Sequence, residues 1–417
     1  MISVEEFSEQ AAVWLRQNGT PKNTTDDQNL AWGDGEFNVA VFHALSDEEE
    51  RALLEDLKLW NRKKAERGYH AITWSEKYGG LGLATEHARA FARLESGYSV
   101  PTRHETFSVT TGLIAPTVDL FGTDEQKERF VAALLSSEVL CCQLFSEPGA
   151  GSDLAGLGCR AERDGTEWVV NGQKVWSSGA QFSEWGELIA RTDVEAVKHK
   201  GMTAFMVPMD TEGIEIRPIR QMNGGTSFNE VYFDDVRIPD TLRLGPEGEG
   251  WRVALATLGF ERDHSDSGGG KARVGGSWRQ LLATAQSLGV NEDPVLRQKL
   301  AAIYIHTRVE SLTNRRAADM MKAGGAPGPE GSLGKLLWTE GMNRMSDVVS
   351  DVLGVALTAD NGQWGTYAWG DHVLGAPGYR IAGGTDEVQR NILAERVLGL
   401  PGEPRVDKGI PWRDVPR

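Results

Sequence analysis

Chemistry first becomes possible in the run 141–153, CCQLFSEPGAGSD. Its opening half is apolar enough for a strand, and Glu147-Pro148-Gly149-Ala150-Gly151 gathers the residues that end a strand and open a loop. Glycines there let backbone N–H groups approach a phosphate closely, and Ser152 adds a hydroxyl, so the loop suits an anion such as a pyrophosphate. Gly-rich turns that bind nothing are also common, and neither the dinucleotide nor the P-loop fingerprint is present. Two further stretches stand out, Asn171-Gly172-Gln173-Lys174-Val175-Trp176-Ser177-Ser178-Gly179 and Gly383-Gly384-Thr385-Asp386-Glu387-Val388-Gln389-Arg390. Taken singly, Trp176 reads as core, Thr385 as a helix N-cap, and Glu261-Arg262 as a solvent-facing pair.

These residues need elements to carry them. Apolar residues recur at helical spacing over 4–17 and 46–67, then 86–95 and 123–135, with Ser46/Glu49 and Thr123/Gln126 as capping pairs. The period changes to that of strands over 139–145, 167–170, 188–191, 203–209, 214–219 and 230–233. Asp164-Gly165 and Asn171-Gly172 are both hairpin signals. Helical spacing returns over 251–262, 279–288, 294–321, 332–353 and 385–398. The fold class expected is mainly α with a central β domain.

The three motifs, in this order and at these separations, resemble those of the acyl-CoA dehydrogenase family of flavoproteins, over roughly residues 72–400. The resemblance implies a helical N-terminal domain (1–137), a β-barrel-like middle domain (138–245) and a C-terminal four-helix bundle (246–417). It implies FAD, and dehydrogenation of an acyl-CoA thioester between its α and β carbons with flavin N5 accepting the hydride. Cofactor contacts would fall on Gln143, Phe145, Ser146, Gly151, Ser152, Trp176, Ser177, Ser178, Thr385 and Glu387, with Gln389 beside them. Substrate contacts would fall on Ser152, Arg262 and Gly384. Where the best-known members carry the catalytic glutamate, this chain has Gly383, which cannot take a proton. A second family position for the base lies on the first helix of the C-terminal domain, and there stands Glu261. Glu261 is therefore the candidate base, with the N–H of Gly383 left to address the thioester oxygen and room opened for a bulky or branched acyl group.

Two segments depart from the family pattern. Its adenine-gripping Arg-x-x-Phe-Gly segment is replaced by Gly-rich 267–276, and a Gly-Gly turn is reduced to Leu353-Gly354-Val355. An electron-transfer flavoprotein or similar acceptor is the expected redox partner, and a homodimer, homotetramer or hetero-oligomer the expected assembly. A flavin oxidase and a structural subunit of a hetero-oligomer are the competing readings.

Composition sets the outer bounds. The 417 residues are enough for two or three domains, and a net charge of -16 makes nucleic acid or an anionic membrane an unfavourable partner. No apolar run is long enough to span a bilayer. The first fifteen residues carry Glu5, Glu6 and Glu9 without a basic leader pattern, so a cytoplasmic location is expected. Cys141, Cys142 and Cys159 read as structural thiols. The histidines show no metal spacing, so no metal is expected, and His264, three residues after Glu261, reads as exposed.

Overall fold

The structure, a computed structural model, describes residues 2–22, 38–102, 104–262, 274–322, 328–359 and 368–416, with the side chains of 261, 262, 321 and 322 outside that description. The first third holds α1 (Val4–Asn18), α2 (Asp47–Ala65), α3 (Thr85–Glu95), α4 (Glu105–Val109), α5 (Ala115–Phe121) and α6 (Asp124–Leu135). A two-residue ribbon, β1 (Thr20–Pro21) on β2 (Tyr98–Ser99), ties its ends. Both expected capping boxes form: Ser46 accepts from the Glu49 N–H and the Glu49 carboxylate accepts from the Ser46 N–H, while Thr123 accepts from the Gln126 N–H and the Gln126 amide oxygen accepts from the Thr123 N–H. Each box satisfies two N–H groups that the helix start would otherwise leave bare.

The middle third is a sheet of β3 (Cys141–Leu144), β4 (Arg160–Asp164), β5 (Glu167–Ser178), β6 (Trp185–Arg191), β7 (Met202–Pro208), β8 (Ile214–Ile219), β9 (Phe228–Pro239) and β10 (Arg243–Leu244). The strand order is β10-β7-β6-β4-β5-β9-β8, with β3 pairing parallel to β6. Asp164-Gly165 turns β4 into β5 as expected, with Gly165 at φ +62. Asn171-Gly172 does not turn. It lies inside the twelve-residue β5, where the register to β9 slips between Val170 and Gly172, and the Asn171 amide bonds both the N–H and the carboxylate of Asp235 across the bulge. Gly172 is required there because a Cβ would sit 2.7 Å from the Cys159 Cα. Local turn propensity is thus overridden by a long partner strand that accepts the extra residue.

After the sheet, α7 (Gly250–Arg262) lies back on it, burying Val253, Ala254 and Thr257. Four helices then make a bundle, α8 (Trp278–Ser287), α9 (Pro294–Lys322), α10 (Gly331–Leu353) and α11 (Ala368–Ile381), followed by α12 (Asp386–Ile392) and a wider turn, Leu393–Val397. The pattern over 368–381 did not announce a helix because it contains Gly370, Gly375, Gly378 and Pro377. Those glycines have a use: a Cβ at Gly375 would meet Val41 at 2.6 Å and one at Gly378 would meet Phe42 at 2.7 Å. An extended N-terminal segment seats itself in that groove, with Val39 buried in the core of the bundle.

Candidate active site

The first two sequence motifs meet at a buried ammonium. Lys174 on β5 is fully enclosed and donates from Nζ to the Phe145 carbonyl at 3.0 Å and to Glu147 Oε1 at 2.8 Å. Glu147 in turn accepts from the N–H groups of Gly158 and Cys159 at 2.6 and 2.8 Å, and the Val175 N–H bonds the Ser146 carbonyl. The Gly-rich loop is therefore held at its base while its tip stays open: a Cβ at Gly149 or Gly151 would meet nothing within 4 Å. Beyond the tip, buried Lys198 joins Asp153 (2.6 Å) to Asp407 (2.8 Å) near the C-terminus.

A second register slip, between Lys174 and Ser177, puts Trp176 at φ +62 and leaves its ring 59% exposed, while Ser177 is buried with an Oγ that has no partner among the described residues. Ser178 is half-buried at the end of the strand. From Trp176 a file of rings runs to the third motif. Trp176 meets Phe228 at 5.9 Å, Phe228 meets Phe42 at 5.4 Å, Phe42 stacks on Tyr379 at 5.1 Å, and Tyr379 meets Trp338 at 4.7 Å. Tyr379 stands four residues before Gly383.

Gly383 and Gly384 both take left-handed backbone, φ +64 and +84, turning the chain into α12. Thr385 caps that helix by accepting from the Val388 N–H, as its type predicts. Gln389 donates to the Gly383 carbonyl, and buried Asp386 is bonded by Thr339 and Arg380. Glu387, expected beside the cofactor, is exposed and pairs with Arg390 at 3.6 Å. On α7, position 261 falls one turn beyond Thr257 in the same helical row. The side chains of Glu261 and Arg262 lie outside the described residues, as do His264 and most of 267–276.

Gly179, the last residue of the second motif, is pinned from behind: it has φ +63, and a Cβ there would come within 1.8 Å of Thr106 Oγ1. Gly179→Ala is expected to destabilise the fold by ~1–3 kcal/mol through overpacking. A denaturant-midpoint measurement checks it, and adding Thr106→Ala recovers part of the loss.

Spacing could not see one cluster beside this contact. His104 Nε2 lies 2.7 Å and His43 Nε2 3.3 Å from the same oxygen of buried Glu50. Burial pushes the Glu50 carboxyl up, and the histidine bonds more than offset that, holding it at about 2. Because His104 Nδ1 accepts from the Thr106 N–H, its Nε2 carries the ring proton and gives it to Glu50. A cation at Nε2 would displace that proton, and the ring could keep its bond to Thr106 only as an imidazolate. The trio is therefore a hydrogen-bonded brace behind the second motif. The three cysteines are free and buried, with burial raising the Cys142 thiol to about 12 and Cys159 to about 11, which suits packing and not redox work.

An aromatic face, an open glycine loop, and the hydroxyl of Ser177 and buried Nε2 of Gln143, both without a partner among the described residues, together fit a planar polar ring system carrying a diphosphate.

Comparison with known proteins gives a consistent picture. The family models for the N-terminal, middle and C-terminal domains of acyl-CoA dehydrogenases match residues 39–138, 142–236 and 248–398. Acyl-CoA dehydrogenase IpdE1 of Mycobacterium tuberculosis (strain ATCC 25618 / H37Rv) is 36% identical over 404 residues, 97% of this chain and 99% of that protein. Of solved structures, the Tcur3481-Tcur3483 steroid ACAD is similar at a TM-score of 0.72 and 25% identity, over 96% of this chain and 98% of that one. The ChsE4-ChsE5 complex from Mycobacterium tuberculosis is similar at 0.70 and 26%, over 97% and 100%.

Proposed function

The chain belongs to the acyl-CoA dehydrogenase family, and from that premise we propose that it dehydrogenates a bulky, ring-bearing acyl-CoA thioester with Glu261 as the base. It is an oxidoreductase acting on CH–CH groups, and its cofactor is FAD. When bound, FAD supplies the acceptor for the hydride leaving the β carbon. Everything else is the work of this chain's side chains and backbone. The Glu261 carboxylate takes the α proton, so that two C–H bonds break as the α,β double bond forms. The N–H of Gly383 donates to the thioester oxygen as negative charge develops there; one well-aimed donor of this kind lowers the barrier by about 2.7–4 kcal/mol. Gln143, Ser177, Ser178 and Trp176 hold the ring end of the cofactor, and Gly151 and Ser152 its diphosphate.

The observation that carries the assignment of the base is the placement of α7. In its inward row, buried Val253 is followed by Thr257, which bonds Glu187 on β6, the register partner of Gln143, and position 261 continues that row. A ring-bearing acyl group is favoured by the absent side chain at Gly383 and by the steroid named for a similar structure. Electrons then leave to a separate flavoprotein acceptor. Assembly with a second chain of the same family is favoured by the exposed row Ile305, Val309 and Leu312 on α9, 59%, 47% and 53% exposed.

The test is to purify the chain, record its visible spectrum, and add acyl-CoA esters anaerobically. Bleaching by ring-bearing esters ahead of short straight ones is the expected result. A preference for short straight chains overturns the substrate assignment. A colourless protein that gains flavin only on co-expression with a homologous chain moves the complete site to a hetero-oligomer.

A further inference from the structure

Glu187 on β6 is wholly buried and has no part in the chemistry above. Its Oε1 lies 2.8 Å from Thr257 Oγ1 on α7, and its Oε2 has no hydrogen-bond partner among the described residues. Thr257 Oγ1 lies 3.0 Å from Thr117 Oγ1 on α5, and Thr117 donates to the Leu113 carbonyl at 2.7 Å. Glu187, Thr257 and Thr117 are all 0% exposed. A single file of side chains thus links the sheet, the first helix after it and the N-terminal helices.

Counting protons along the file, from its shortest bond outward, gives it a direction. The one hydroxyl proton of Thr117 goes to Leu113, the shortest bond of the series. The Thr117 oxygen, 3.0 Å from Thr257 Oγ1 and nearer than the Val253 carbonyl at 3.2 Å, then accepts from Thr257, which uses the Thr257 proton. What the Thr257 oxygen now needs is a donor, and the group facing it is Glu187 Oε1. A neutral carboxylic acid completes the series with every proton used once. A carboxylate would reverse it and leave an unpaired charge, with one bare oxygen, inside an apolar core. Burial pushes this carboxyl up to about 8. Among the described residues, the titratable group beside it is the buried thiol of Cys141 on β3; α5 presents Thr117, α7 presents Thr257, and the register partner on β7 is Met206.

We propose that Glu187 is a positioning residue that acts as a neutral acid: by donating to Thr257 it locks α7 against the sheet and so sets where position 261 stands relative to Gln143. The catalytic half of this proposal rests on the reading of Glu261 as the base. The protonation half stands apart from it.

Glu187→Gln supplies the decisive comparison, because its amide N–H donates to Thr257 as the neutral acid does but never ionises. A carboxyl whose folded pKa is raised keeps its proton in the folded state while the unfolded chain releases it above its ordinary value of 4.5. Wild-type stability should therefore fall, relative to Glu187→Gln, as pH rises from about 4.5 to about 8, with the gap constant above that. Wild type minus Glu187→Gln infrared difference spectra should show a protonated carboxyl band at about pH 6 that is lost at about pH 9. In anaerobic flavin reduction at about pH 6, Glu187→Gln should stay within about twofold of wild type, while Glu187→Leu and Thr257→Val fall at least about tenfold with FAD still bound. A stability gap that does not move with pH, with no acid band, overturns the neutral acid. Full activity in both Glu187→Leu and Thr257→Val overturns the positioning role. Should no acyl ester reduce the wild-type flavin, the function proposed above fails, while the stability gap and the infrared band still decide the state of Glu187.

Discussion

Replacing Glu261 by Gln is expected to leave a folded, yellow protein whose flavin no acyl-CoA ester bleaches. Glutamine keeps the size of the side chain and removes only its capacity to take a proton, so ester binding and cofactor binding should persist. Loss of a positioned general base lowers a proton-transfer step by typically 10²–10⁴-fold, and stopped-flow reduction under anaerobic conditions reads that range directly. The helix itself should tolerate the change, because its anchoring side chains are Val253, Ala254 and Thr257, all 0% exposed. Reduction within about tenfold of wild type would remove Glu261 from the chemistry and assign the α proton to another group.

Lys174→Met should have the largest effect on stability. The ammonium is sealed from water and bonds Glu147, the carboxylate that also holds the N–H groups of Gly158 and Cys159. Removing one partner of a buried ion pair leaves the other uncompensated and costs about 3–5 kcal/mol. That is a large fraction of the ~5–15 kcal/mol by which a domain is typically stable. The Gly-rich loop loses its anchor at the same moment, so FAD should be shed during gel filtration. A denaturant midpoint within about 1 kcal/mol of wild type, with FAD retained, would show that the loop is held by other means.

Signals carried over three or four residues were legible in the sequence. Ser46/Glu49, Thr123/Gln126 and the cap at Thr385 all stand where their types predicted, because a cap is satisfied within its own helix turn. The family motifs located the loop, the exposed tryptophan and the turn into α12. Asn171-Gly172 misled because the same dipeptide serves a bulge when a partner strand is long enough to run past it. The helix Ala368–Ile381 stayed hidden because its glycines answer to Val41 and Phe42, more than three hundred residues away. Contacts of that range have no local signature. Glu50 meets His104 across 54 residues, Glu187 meets Thr257 across 70, and Thr257 meets Thr117 across 140. A lone buried acid inside a strand pattern reads as an irregularity until the helix that covers it is known. Glu387, which the motif places at the cofactor, is exposed and pairs with Arg390.

The groove in α11 has a consequence for the order in which the molecule is assembled. Val39, Val41 and Phe42 leave the ribosome long before the helices that enclose them, since domains form from the N-terminus as synthesis proceeds. Phe42 can meet Phe228 of the sheet beforehand, but Val39 and Val41 find their partners only in α8, α10 and α11. The core of the final third is therefore incomplete without a strap made near the start of the polypeptide, so that a fragment holding only those helices would leave the groove unfilled.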